Sequence, residues 1–369
     1  MWTFLSPTKT TFGPGASRAA HETAKTYGAP AVLVTDAKVS GVPAVQRVLE
    51  AFGDGPVFYD VRPNPTTENV DALTALLRRE RARVVVAIGG GSVMDCAKAA
   101  ACLAKTDRDH IRPFHSENLP LPSDAIPLIA MPTTAGTGAE VTPFAVLDDR
   151  ENGIKAPLAG AALYPTCAVA DPELTYSMPR AVTASTGLDA LAHAIEGYWS
   201  INHQPICDLL AKEAARLIFI HLETALREPE NAPARDAMSY TALLAGMAFQ
   251  LPKNAIVHAA SFPLSNRYHL SHGAACAFLL ESAIKLNAPY MDGRMQAFAA
   301  ACGFDALDAM CARIGEFKAL GGLPRTLADA GIDPADVPRI IRESFHPLVK
   351  NNPKPVTEED LQQIYAALA

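Results

Sequence analysis

The hydrophobic pattern changes character near residue 179 of this 369-residue chain. Before that point, short apolar runs alternate with helical spacings. Ala31–Asp36 (AVLVTD) reads as a buried strand, followed by a helix to about Phe52 and a strand PVFYD over 56–60. After Pro63–Thr66 a helix extends to about Arg81, VVVAIGGGS is a strand entering a turn, and VMDCAKAAACLA is the helix behind it. AIPLIAMPTTAG is a further strand that runs into a Thr/Gly turn. PFAVLDD and IKAPLA suggest a hairpin around Asn152–Gly153, TCAVADPEL a last strand, and the segment ahead of FGPG a first one. This alternation predicts a parallel α/β layer over residues 1–179.

From Pro179 onward the strand signals stop. Ala-rich amphipathic segments predict helices over Ala181–Trp199, Pro205–Leu226, Ala232–Phe249, His258–Tyr268, Gly273–Leu286, Met291–Ala300, Ala306–Leu320 and Thr357–Leu368. Residues 180–369 therefore read as an all-α domain.

Composition narrows the function classes. Hydrophobic residues make up 49% of the chain and charged residues 19%, with a formal net charge of −7. No polybasic run points to nucleic acid, and no apolar run is long enough to predict a membrane span. The seven cysteines are dispersed and form no CxxC pair, which suits reduced thiols and a cytoplasmic protein.

The candidate chemistry lies in four residues. Asp189 and His193 are four apart in TASTGLDALAHAIEGYWS, so a helix brings them to one face. His258 and His272 lie 14 residues apart in a small, apolar context where an unpartnered imidazole is costly. Three imidazoles and a carboxylate suit Fe(II), Zn(II) or Co(II). Taken singly, each histidine is more often an ordinary hydrogen-bonded or surface side chain than a ligand.

Two glycine-rich turns follow strands. Gly89–Ser92 (GGGS) opens a helix, where free N–H groups can meet a pyrophosphate. Pro132–Gly138 (PTTAGTG) offers Thr133, Thr134 and Thr137 to phosphate or ribose oxygens. Either turn alone is common punctuation; together they point to a dinucleotide. The usual GxGxxG is missing after the first of the buried strands. Asp36 ends that strand, where an acid accepts from a ribose 2′-OH and repels a 2′-phosphate, favouring NAD(H) over NADP(H). Asp36 also suits a helix N-cap.

IGGGSVMDCAKA, MPTTAGTGAEVTPFAVL, STGLDALAHAIE, VHAASFPL and HGAACAFLL, in this order and spacing, resemble the iron-containing (group III) alcohol dehydrogenases over nearly the whole chain. The resemblance implies the dehydroquinate synthase-like, group III alcohol dehydrogenase fold: an NAD-binding α/β domain and an all-α metal and substrate domain. It implies that Asp189, His193, His258 and His272 bind Fe(II), Zn(II) or another divalent ion. It makes Asp36 the ribose acid and Gly90, Gly91 and Ser92 the pyrophosphate turn, and lines the cofactor groove with Thr133, Thr134 and Thr137. Asn64 and Pro65 fall on the adenine side, and Asp95 and Lys155 on the nicotinamide side. Relatives often carry a histidine near the nicotinamide four residues after the third ligand; here that position is Phe262.

The activity implied is interconversion of a primary alcohol and an aldehyde, by a homodimer. ALAHAIEGYWSINHQPICDLLAKEAARLI and NAIVHAASFPL are most similar to reductases of small anionic aldehydes such as phosphonoacetaldehyde, with Lys253, Arg267 and His269 as candidate anion partners. The alternatives are a dehydroquinate synthase-like lyase or cyclase, whose site needs more Lys and Arg near the ligands, and a catalytically silent NAD-binding homologue.

Overall fold

The computed structural model describes residues 1–117 and 119–369. The chain divides into two compact units. One comprises Leu5–Thr134 and Gly138–Ser177; the other comprises Met1–Phe4, Ala135–Thr137 and Met178–Ala369.

The first unit is built on strands β1 (Lys9–Phe12), β2 (Ala31–Val34), β3 (Val57–Phe58), β4 (Val84–Gly89), β5 (Leu128–Pro132), β6 (Phe144–Asp149), β7 (Ile154–Ala159) and β8 (Cys167–Ala170). Six of these form one sheet in the order β1-β8-β5-β4-β2-β3, and every pairing in it is parallel. Helices α1 (Ala20–Lys25), α2 (Pro43–Ala51), α3 (Thr67–Arg79), α4 (Gly91–Leu103) and α5 (Arg112–His115) connect them. β4 and β5 are buried at every residue, as central strands covered on both faces must be. The order of connection reverses between β2 and β4. Beyond the carboxyl ends of these two strands lie Asp36 and Gly90–Ser92, at the switch point where open α/β sheets bind ligands. The strand expected over PVFYD is confined to Val57–Phe58. Beyond it the chain meets Asp36 only through an isolated bridge from Asp60.

β6 and β7 pair antiparallel, as the hairpin around Asn152–Gly153 requires, and set Asp148 opposite Lys155. Asp149, at the end of β6, has a fully buried side chain. It accepts from Ser116 Oγ at 2.6 Å, from Asn152 Nδ2 at 2.8 Å and from Arg112 Nε at 3.2 Å.

The second unit is helical: α6 (Arg180–Trp199), α7 (Pro205–Arg227), α8 (Ala232–Phe249), α9 (Ile256–Tyr268), α10 (His272–Asn287), α11 (Arg294–Ala301), α12 (Leu307–Gly321), α13 (Val337–Glu343) and α14 (Glu358–Ala366). α13 is a short helix opened by Pro338 that the apolar spacing does not reveal. α6 is buried at almost every position from Thr183 to Trp199, so it is a central rather than an amphipathic surface helix. Small residues let its neighbours close in. A Cβ added to Gly273 at the start of α10 would lie 2.2 Å from the Ser185 carbonyl oxygen, and one on Gly321 would lie 2.1 Å from Ala184 Cβ. Among the described residues, no helix is long and apolar enough to cross a membrane.

Asp149 makes the hairpin acid-sensitive. Burial opposes its ionisation, but Ser116, Asn152 and Arg112 outweigh it and pull its pKa down to about 2. A carboxylate held below its unfolded value stabilises fully above that value and loses the contribution as pH falls towards the folded one. Asp149→Asn should therefore lower the urea midpoint at neutral pH, with the gap to the parent chain closing as pH approaches 2. A gap that is the same at both ends of that range would contradict this role.

Candidate metal and cofactor sites

Asp189, His193 and Glu196 lie on one face of α6, and all three are buried. Polar groups in such a helix must find partners. Asp189 faces three imidazoles. His193 Nε2 is 3.7 Å from its Oδ2, and His258 Nε2 and His272 Nε2 are each 3.7 Å from its Oδ1. These separations are too long for hydrogen bonds. They are close to, and slightly longer than, the edge of a tetrahedron with metal–nitrogen and metal–oxygen bonds of 2.0–2.2 Å, about 3.3–3.6 Å. Asp189 Oδ1 and His258 Nε2 are buried and have no hydrogen-bond partner among the described residues.

The far side of each inner ring explains its orientation. His258 Nδ1 donates to Glu196 Oε2 at 2.5 Å, and His193 Nδ1 donates to Asn254 Oδ1 at 3.2 Å. With the proton on Nδ1, each Nε2 turns a lone pair towards the carboxylate. Two acceptors facing each other in a buried space call for a cation between them, and the donor set fits a divalent metal. Burial depresses His193 to about 3, with Asp189 opposing, so the ring is neutral at pH 7. His193 is further fixed by stacking on Phe249 at a centroid distance of 4.0 Å.

Glu196 has a second task. Its Oε1 accepts from Val257 N at 2.7 Å, satisfying an otherwise orphaned amide in the first turn of α9. One carboxylate thus fixes both the start of α9 and the ring it carries. Asn254 is held in turn, its carbonyl accepting from Asn351 Nδ2 at 2.8 Å, while Asn351 Oδ1 accepts from Asn202 Nδ2 at 3.2 Å. Cys276, one turn after His272 on α10, joins the cluster. Donor atoms of Asp189, His258, His272 and Cys276 all lie within 4.8 Å of one another, a group that does not include the expected His193, which faces the other oxygen of Asp189. Glu196 is seven positions from Asp189 and Cys276 four from His272, so helical spacing puts each on the face of a candidate ligand, but only the packing of α9 and α10 against α6 shows the contacts they make.

In the α/β unit, most of the cofactor candidates form one linked set. Asn64 N donates to Ser92 Oγ at 3.2 Å, Lys155 Nζ donates to Asn64 Oδ1 at 3.1 Å, and Asp148 N donates to Pro65 O at 3.0 Å. Asp95 Oδ2 accepts from Val146 N at 3.0 Å, tying β6 to α4. Thr133 N donates to Gly89 O at 3.0 Å, and its buried Oγ1 has no hydrogen-bond partner. A Cβ on Gly90 would sit 3.4 Å from Thr134 Cγ2, so the two glycine turns adjoin. Gly90 caps α4 and Gly91 begins it; the Val93 and Met94 amides donate to the Gly90 carbonyl, which leaves those of Gly91 and Ser92 for an anion. Asp36 Oδ1 accepts from Lys38 N and Val39 N, the local capping role that the sequence also allowed. Thr137 belongs to the short segment grouped with the helical unit.

The remaining candidates separate. Arg267 is paired with Glu343 through Nε and Nη2, so it is not the open anion partner expected. Lys253 and His269 are exposed and left-handed in backbone. Phe262 is buried, with its ring edge-to-face against His346 at 5.0 Å.

A parallel α/β unit followed by a helical unit with a buried carboxylate–imidazole cluster leaves the class of reaction open, and comparison with known proteins narrows it. Residues 7–172 match the iron-containing alcohol dehydrogenase profile, and residues 183–369 match the C-terminal profile of the Fe-containing alcohol dehydrogenase family. The chain is 33% identical to 1,3-propanediol dehydrogenase of Klebsiella pneumoniae, over 99% of this chain and 98% of the relative. It is 34% identical to sulfoacetaldehyde reductase of Bilophila wadsworthia, over 76% and 73% of the two chains. The crystal structure of sulfoacetaldehyde reductase from Bifidobacterium kashiwanohense in complex with NAD+ superposes with a TM-score of 0.95 at 40% identity, covering 100% of this chain and 98% of that one. The chain belongs to the iron-containing alcohol dehydrogenase family. It is an oxidoreductase of the alcohol dehydrogenase and aldehyde reductase kind.

Glu196→Ala would strand the His258 Nδ1 proton and the Val257 amide without acceptors. Urea denaturation should show a loss of about 1–3 kcal/mol for each buried donor left unsatisfied. Glu196→Gln, which keeps an acceptor, should lose less. An Ala variant as stable as the parent would mean that Glu196 does not hold α9.

Proposed function

We propose that this enzyme uses NADH to reduce a small aldehyde carrying an anionic group to its primary alcohol, with a divalent metal, iron for preference, held by Asp189, His193, His258 and His272. The observation that carries the reading is the set of imidazole nitrogens turned on the Asp189 carboxylate with no hydrogen bond between them. When bound, the metal supplies Lewis acidity towards the substrate oxygen and the nicotinamide supplies the hydride.

The chain's own residues position and select. Glu196 and Asn254 hold two imidazoles in the tautomer a metal needs. The first-turn amides of α4 receive the pyrophosphate, Thr133 offers its unpartnered hydroxyl, and Asp36 receives the adenosine ribose hydroxyls. Asn64, Pro65, Asp95 and Lys155 brace that groove. Overall, aldehyde, NADH and a proton give alcohol and NAD+. Phe262 has no proton to give, so that proton comes from solvent or a cofactor hydroxyl. The anionic head group is supported by the likeness to two proteins named sulfoacetaldehyde reductase. Phosphonoacetaldehyde, with the same two-carbon aldehyde and a phosphonate, is the other candidate.

The test joins metal analysis to an NADH-oxidation assay with sulfoacetaldehyde, phosphonoacetaldehyde and propionaldehyde. The purified chain should carry a divalent metal, turn over an anionic aldehyde with the highest kcat/KM, and prefer NADH to NADPH by at least about tenfold, the effect of ~1.4 kcal/mol. His258→Ala and His272→Ala should each lose metal and lower turnover by orders of magnitude while still binding NADH. Full metal content and parental turnover in either variant would defeat the ligand assignment. A preference for propionaldehyde would defeat the anionic substrate.

A further inference from the structure

Cys276 is fully buried on α10, one helical turn from His272, with its sulfur 3.9 Å from His272 Nε2. It forms no disulfide. Its sulfur belongs to the group of donor atoms, with Asp189, His258 and His272, that lie within 4.8 Å of one another. Two atoms of that group, Asp189 Oδ1 and His258 Nε2, are buried and lack any hydrogen-bond partner. Each belongs to a side chain about 2% exposed. A tetrahedral edge that includes a metal–sulfur bond is slightly longer than one between nitrogen and oxygen donors, because the Zn–S bond is about 2.3 Å against about 2.0–2.1 Å for Zn–N. The 3.9 Å from sulfur to His272, beside 3.7 Å from carboxylate to imidazole, follows that order.

We infer that the Cys276 sulfur is an inner ligand of the metal centre, adding a soft donor to the carboxylate and imidazoles. The inference rests on the metal reading above and goes beyond it. On coordination the thiol gives its proton to solvent and the sulfur binds as thiolate, with no redox step. Imidazole and carboxylate alone suit iron and zinc alike, whereas a thiolate tilts the site towards zinc and cobalt. This chain would then hold zinc more tightly, relative to Fe(II), than a site of the same imidazoles and carboxylate without the sulfur.

The test uses the full-length chain loaded with Co(II), whose absorption spectrum reports its ligands. The parent should bind cobalt stoichiometrically and show a thiolate-to-cobalt charge-transfer band in the near ultraviolet. Cys276→Ser, nearly isosteric, should keep bound cobalt and lose that band. Its Zn(II) affinity should fall by more than the ~10–100-fold that loss of an outer partner costs, with a smaller change for Fe(II). Cys276→Ala should behave in the same way, and circular dichroism of both variants checks that the helices persist. Cobalt bound without the band in the parent, or a band that survives in a folded variant, overturns the role of Cys276 and leaves the other ligands standing. Failure of the parent to bind cobalt at all overturns this inference and the metal reading together.

Discussion

A buried carboxylate that faces imidazole nitrogens with no hydrogen bond between them is the constraint on which the helical unit turns. Asp189 sits on the central helix, withdrawn from solvent, where an uncompensated charge costs several kcal/mol. Glu196 and Asn254 take the Nδ1 protons of His258 and His193 and so commit the other ring nitrogens to Asp189. The arrangement is poorly satisfied by protein atoms alone and well satisfied by a cation. The surrounding structure serves that geometry. Gly273 lets α10 close on α6, Glu196 anchors the first turn of α9, and Phe249 stacks on His193.

The α/β unit solves a different problem, presenting backbone amides to an anion. β4 ends in glycines at the switch point of the sheet, and α4 begins immediately after them with the amides of Gly91 and Ser92 in its first turn. Around that turn the contacts are long-range: Asn64 to Ser92, Lys155 to Asn64, Asp95 to Val146. The β6–β7 hairpin, stabilised by Asp149, carries the lysine to the turn. Lys98, buried on α4, donates to the Thr142 and Phe144 carbonyls and fixes the chain between the second glycine turn and the hairpin.

Much of this was legible in the residues, for identifiable reasons. Asp189 and His193 are four apart in an uninterrupted helical pattern, so their convergence needs only helix geometry. The β-branched run of β4 announces a buried strand, and the glycines after it announce the turn. What escaped depends on packing between distant segments. Glu196 has the local pattern of any glutamate in an Ala-rich helix; only the docking of α9 shows that it is buried and paired. Cys276 was weighed as one of seven dispersed cysteines, and its place beside His272 matters only once α10 lies against α6. Arg267 looked open to an anion because Glu343 is 76 residues away. The edge strand β3 contracted because too few partners hold it beyond Phe58.

The central claim is that these side chains exist to hold a metal ion, and diffraction data collected on either side of the iron and zinc absorption edges from crystals of the purified chain test it most directly. The account predicts a single strong anomalous peak within bonding distance of Asp189, His193, His258 and His272. No peak there, with the Asp189 carboxylate hydrogen-bonded to protonated imidazoles or to water instead, would contradict it.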